Sequence, residues 1–364
     1  MFGDRLRLAR KRAGLSLREL SARIDGQVSA QAISRYEANE ITPSSGVLVA
    51  LGKALDVSLD FLMSEQEVVL SGIEFRRASG TSAQDRSRVE AEVLGNVERY
   101  LAVEDVLGLD SAAHALAEQP KQKVETLEEA ERLADQLRST WKLGTDPIPS
   151  MTHLLEDKGF KVLSIALPAK VSGLTCDVAR RDQSKVTVIV VNSRATVERW
   201  RFTLAHELAH HVIGACSESV KLEKAVDRFA ASFLMPRQHV LLEMGKARTS
   251  LAYEELIALK RFYGVSAASF LYRLGTIGII DEGVVAYAFQ SYARAWRTAE
   301  PRPLATDGEV GRQEVPERFE RLVYRAVSEG LISLPKAALL LSRPVPEVEY
   351  AVKGPSAQNA DHHQ

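Results

Sequence analysis

Residues 206–210 read His-Glu-Leu-Ala-His, and this pentapeptide constrains the fold of the chain more tightly than any other feature. Two histidines four positions apart meet at one point only where the backbone between them is helical, because a helix brings i and i+4 onto one face. The surrounding segment, 198–213, reads as a helix closed by Gly214. Two imidazoles and one carboxylate suit Zn²⁺, which keeps its fourth position for water and lowers the pKa of that water to roughly 7. Mn²⁺ is the other metal this donor set admits. Glu207, between the histidines, is the expected general base. The third ligand comes from the next predicted helix, 223–234, which is ended by Met235-Pro236. Glu223 is the expected ligand, and Asp227, one turn on, is expected to accept the free ring N–H of a ligand histidine. Glu218 is the second choice for the ligand, because no acid follows it one turn later.

A chain of 364 residues exceeds what one core usually serves, so two domains with connecting helices are expected. Apolar residues at 45% and charged residues at 26% are ordinary globular values. The start has no apolar h-region, and no run approaches the roughly 18 apolar residues of a membrane span, which points to the cytoplasm and away from membranes. Cys176 and Cys216 form no CxxC pattern and read as buried thiols, with a redox role for Cys216 as the alternative.

The fold class read from the pattern is α+β and mostly helical, with a small sheet in the C-terminal part. Two strand-like runs, 160–165 and 186–191, precede the metal helix. The second is continuously apolar and reads either as a core strand or as an edge to which a peptide adds. Val89, Val93, Val97 and Leu101 lie on one face of a helix that follows the polar stretch 79–87 and reads as an interdomain or dimerising element. Leu127, Ala130, Ala134 and Leu137 mark an amphipathic helix over 125–139. A helical pair is expected around 318–329 and Leu334–Leu341.

Net charge is −1, yet residues 1–36 hold eight Arg or Lys against three acids. Residues 4–62 read as an all-α domain whose core includes Leu6, Leu20, Ile33, Leu51, Leu55, Leu59 and Leu62. Ser16 and Glu19 form a capping-box signature, Gly26 supplies a turn, and Ser29 caps a second helix, Ala30–Glu37. That helix would bury Ile33 and Tyr36 and present Gln31, Ser34 and Arg35 outward, donors and acceptors suited to base edges in a major groove.

The residues of 4–62 resemble the lambda-repressor-like, or XRE-type, helix-turn-helix family. The resemblance implies contact with a double-stranded DNA operator around Ser29, Gln31, Ser34 and Arg35, and a homodimer. RFTLAHELAHH followed by EKAVDRFAASFLMP resembles the ImmA/IrrE family of metallopeptidases, with a zincin-like fold, over about 125–275. That resemblance implies metal ligands at His206, His210 and Glu223 and a catalytic Glu207. Val226 and Asp227 depart from the Ala-Asn common in the family. His211 and His239 read as structural or solvated, and Tyr253, Tyr263 and His239 are candidates for a donor that stabilises the transition state.

The expected organisation is 1–66 helix-turn-helix, 67–120 helical linker, 121–275 metallopeptidase-like domain, 276–350 helical accessory region and 351–364 disordered tail. Two functions follow. One is a DNA-tethered zinc endopeptidase that cleaves a repressor-type protein. The other is a non-proteolytic repressor or antitoxin whose second domain senses a ligand or binds a toxin partner.

Overall fold

The computed structural model describes residues 2–63, 68–71, 82–110, 114–117, 119–180, 185–296 and 298–354. The chain divides into two compact units, each described by itself below. One comprises Met1–Ala113, Thr175–Val188 and Glu317–Gln364, the other His114–Leu174 and Ile189–Pro316. The class is α+β and mostly helical, and among the described residues no helix is long and apolar enough to cross a membrane.

The first unit begins with five helices, α1 (Phe2–Arg12), α2 (Leu17–Arg23), α3 (Ala30–Glu37), α4 (Ser45–Leu55) and α5 (Leu59–Met63). Their core holds Leu6, Ala9, Leu20, Ile24, Ile33, Leu51 and Leu55, as the apolar spacing requires. Leu59 departs from the expectation. At 42% exposed it lies outside this core, because it opens the short helix α5 and leaves Leu62 to be the buried residue.

Strand β1 (Val68–Ser71) and helix α6 (Ala83–Val106) follow. The helix starts inside the polar stretch, where Ser82 Oγ accepts the Asp85 N–H at 3.0 Å; residues 79–81 lie outside the described residues. Val89, Val93, Val97 and Leu101 are all buried, and α6 packs against α1 and against a C-terminal helix, α16 (Arg318–Ser328). The stripe read as an interdomain or dimerising face is therefore buried within the unit. Helices α17 (Leu334–Leu341) and α18 (Val345–Lys353) complete a second core with Tyr100, Val103, Leu322, Val323, Leu340 and Val348. The helix α18 occupies the start of the expected disordered tail, of which 355–364 lie outside the described residues.

The second unit carries β2 (Gln122–Val124), α7 (Leu127–Thr140), α8 (Met151–Asp157) and β3 (Lys161–Ile165). Strands β4 (Gly173–Arg180) and β5 (Lys185–Asn192), whose residues 175–180 and 185–188 belong to the first unit, come next, then α9 (Val197–Val212), β6 (Ile213–Cys216) and α10 (Leu222–Leu234). Helices α11 (Arg237–Met244), α12 (Tyr253–Tyr263), α13 (Ala267–Thr276), α14 (Glu282–Gln290) and α15 (Glu309–Gln313) follow. The main sheet has the order β1-β4-β5-β3, with β1 antiparallel to β4. Strand β5 thus has a neighbour on each side, which excludes it as an open edge for a peptide and explains its unbroken apolar run.

The helix over 198–213 ends differently from the expectation. Gly214 does not close it: α9 passes at Ile213 straight into β6, which pairs in parallel with β2. A Cβ on Gly214 would lie 2.8 Å from Lys121 Cβ, so this glycine serves the close approach of two chains. Helix α10 packs against α7 and α9. One core gathers Leu204 and Leu208 from α9, Ala225, Phe229 and Phe233 from α10, and Ile189 and Val191 from β5.

Candidate metal centre and nucleic-acid face

Helix α9 is capped at its start and held along its N-terminal half by ion pairs that are almost wholly buried. Thr196 caps it, its Oγ1 accepting the Arg199 N–H at 3.4 Å. Arg201 pairs with Glu314, both nearly inaccessible, and donates to the carbonyl of Ile148 at 2.7 Å. The Glu314 carboxylate also accepts the N–H groups of Met151 and Thr152 at 3.0 and 2.9 Å, filling orphan donors at the start of α8. Glu198, in the first turn of α9, lies 2.8 Å from Lys260 Nζ, whose other partner is Glu300 at 2.7 Å.

The face this helix presents carries His206 and His210, with side chains 20% and 23% exposed. Their Nε2 atoms are 3.3 Å apart. Glu223, from the first turn of α10, brings Oε2 to 3.6 Å from His206 Nε2 and Oε1 to 3.7 Å from His210 Nε2. Bonds of about 2.1 Å to a tetrahedral ion require ligand atoms about 3.4 Å apart. The three observed separations bracket that edge, so these residues fit a zinc-sized ion of tetrahedral preference. Among the described residues, His206, His210 and Glu223 form a group able to hold a metal, and Glu218 does not join it.

Asp227 Oδ1 lies 2.9 Å from His206 Nδ1. A carboxylate there takes the ring N–H, which leaves the Nε2 lone pair directed at the other two donors. Glu207 is buried, 9% exposed. Gly173, at the start of β4, was not singled out by the sequence reading, yet it lets the strand lie against α9. A Cβ there would stand 2.4 Å from Thr203 Cγ2, 2.8 Å from the Val190 carbonyl oxygen and 3.8 Å from Glu207 Oε1.

Among the described residues, His211 and His239 do not join the metal-holding group. His211 packs against Phe160 and near His114, and burial, then the charges of Lys121, His114 and His210, pushes its pKa down to about 3. His239 Nδ1 and the hydroxyl of fully buried Tyr263 bond each other at 2.8 Å, and burial raises the phenol pKa. Tyr253 is 45% exposed and packs near Trp296. Cys176 is buried as expected; Cys216 is only half-buried on β6, where desolvation raises its thiol pKa and makes it less reactive.

In the N-terminal helices both capping expectations are met. Ser16 and Glu19 exchange backbone bonds at 3.2 and 2.6 Å, and Ser29 Oγ accepts the Ala32 N–H at 3.2 Å. Ser29 therefore acts first as the cap of α3. Ile33 and Tyr36 face the core while Gln31, Ser34 and Arg35 are exposed. Arg35 pairs with Glu40 at 3.2 Å on the surface, a contact cheap to give up. Helix α3 is fixed from behind by Arg10, whose guanidinium meets Glu37 through two bonds of 2.6 and 2.8 Å.

Comparison with protein families matches residues 6–62 to a helix-turn-helix family and residues 155–275 to the IrrE N-terminal-like domain. No curated protein matches the chain. The chain thus joins a DNA-binding helix-turn-helix domain to a metallopeptidase-like domain.

Proposed function

We propose that this protein is a DNA-binding transcription regulator whose second domain is a zinc-dependent endopeptidase, hydrolysing one peptide bond in a repressor-type protein. The observation that carries the reading is the triangle of donors from His206, His210 and Glu223 at 3.3 to 3.7 Å, with Asp227 fixing one imidazole. Its three ligand side chains are 20 to 44% exposed, so the face is open to an extended substrate.

In this reading His206, His210 and Glu223 hold the metal, which supplies Lewis-acid activation of water and of the scissile carbonyl. Mn²⁺ is the alternative ion. Glu207 takes the proton released by the attacking water and delivers it to the leaving amine. Asp227 keeps His206 in the ligating tautomer. Gln31, Ser34 and Arg35 read an operator, on which two copies bind as a homodimer, and Ser29 presents the helix N-terminus to a phosphate.

The test is metal content together with cleavage of repressors encoded beside the gene, for wild type and Glu207→Gln. Metal in both proteins with cleavage by the wild type alone is the expected result. Metal with no cleavage points instead to the non-proteolytic regulator, and a protein that binds no metal overturns the site.

A further inference from the structure

A cavity of about 780 Å³ lies within the second unit, between α9, α10 and α13, and shares one wall residue, Asp227, with the metal centre. It is large enough for a drug-sized molecule. Phe202, Tyr272, Phe289 and Trp296 give it an aromatic lining. His206 stands between the two places: its Nε2 faces His210 and Glu223, and its Nδ1 faces Asp227. Asp227 thus belongs both to the cavity wall and to the surroundings of His206.

The charges on its wall decide what it holds. Its acids already have partners: Glu198 and Glu300 clamp Lys260, and Asp227 meets His206. Arg228 is paired with Glu131. Two cations are left over. Among the described residues the Arg199 guanidinium bonds only the neutral Ser172 hydroxyl, at 2.9 and 2.6 Å, and Lys224 has no acidic partner. Both are exposed.

We propose that the cavity binds a small organic anion with an aromatic body, its acidic head between Arg199 and Lys224 and its ring among Phe202, Tyr272 and Trp296. Binding is transmitted to the metal centre because the occupant alters the surroundings of Asp227 and hence its hold on His206. The binding site stands independently of the peptidase reading; the transmission rests on the metal centre proposed above.

Calorimetric titration of the full-length, metal-free protein with 2-naphthoate and with its uncharged amide tests the site. The acid should bind at least ~10-fold more tightly, the margin expected of charge-assisted bonds. Arg199→Gln/Lys224→Gln should remove that preference. Both side chains are exposed, and an unfolding temperature equal to wild type checks the fold. Equal binding of acid and amide, no saturable binding, or a preference that survives the double substitution overturns the site. Zinc affinity with and without saturating 2-naphthoate then tests transmission: a shift of ~5-fold or more is expected, matched by an equal effect of zinc on the acid and lost in Asp227→Ala. Zinc binding that ignores the acid overturns transmission alone, and a protein that binds no zinc removes the metal centre while the metal-free titration still decides the cavity.

Discussion

Replacing Asp227 by Ala tests whether the fourth acidic or imidazole group at the centre supports the metal or merely lies near it. The carboxylate contacts His206 Nδ1 at 2.9 Å and is 56% exposed. Groups that orient a ligand histidine are worth about 10- to 100-fold in metal affinity. Solvent screening at a half-exposed carboxylate places the effect near the lower end, so Asp227→Ala should weaken zinc binding by roughly 10-fold, about 1.4 kcal/mol. Asp227→Asn should lose less, because an amide oxygen still accepts the ring N–H. Glu223→Ala removes a donor atom and should lose more than either. Competition with a chromophoric chelator at pH 7 measures all three, with Glu218→Ala as the control that leaves affinity at the wild-type value. Wild-type affinity in Asp227→Ala would refute the orienting role, and a loss in Glu218→Ala equal to that in Glu223→Ala would refute the assigned ligand set.

Lys260→Met leaves Glu198 and Glu300 buried without their shared cation and should cost about 3–5 kcal/mol in urea unfolding; a loss below about 1 kcal/mol contradicts the clamp. Gly173→Ala should lower stability by about 1–3 kcal/mol, seen as a lower melting temperature, since its methyl meets Thr203 and the Val190 carbonyl. Unchanged melting would mean that the strand gives way without cost. Gln31→Ala and Arg35→Ala should each weaken binding to an operator recovered by selection from random DNA by about 1–3 kcal/mol and relax preference at one base position. Retained affinity and preference in both would move the recognition surface elsewhere.

The parts legible in the sequence were those whose information is local. Ser16 and Glu19 are three apart, His206 and His210 four apart, and Glu223 and Asp227 four apart, each a spacing that a single helix converts into proximity. Arg201 and Glu314, or Lys260 with Glu198 and Glu300, meet only because the chain returns from far along its length, and no periodicity marks such pairs. Strands β2 and β6, of three and four residues, are too short to show alternation. Strand β4 did show it, with Leu174, Cys176 and Val178 buried at every second position, but the intervening Thr175 and Asp177 kept it from reading as an apolar run. Gly214 misled for a different reason: a glycine after a helical run usually marks a helix stop, and here the same lack of a Cβ admits Lys121 instead.

The two buried ionic clusters bear directly on how the centre works. A desolvated ion pair adds little net stability compared with well-packed apolar side chains, so stability alone is a weak reason for Arg201–Glu314 and Glu198–Lys260–Glu300 to sit on the first turns of α9. What they supply is direction. Arg201 meets a carboxylate and backbone carbonyls in a fixed plane, and Lys260 is clamped between two acids, so the N-terminal half of the helix has little freedom to rotate. The half-exposed histidines lie one and two turns further along the same rigid rod, and inherit its orientation. A rotation of one residue's arc, about 100°, would carry His206 away from Glu223 and Asp227 alike. The separations of 2.9 to 3.7 Å at the exposed end are therefore set by contacts made at the buried end, where solvent cannot compete for them.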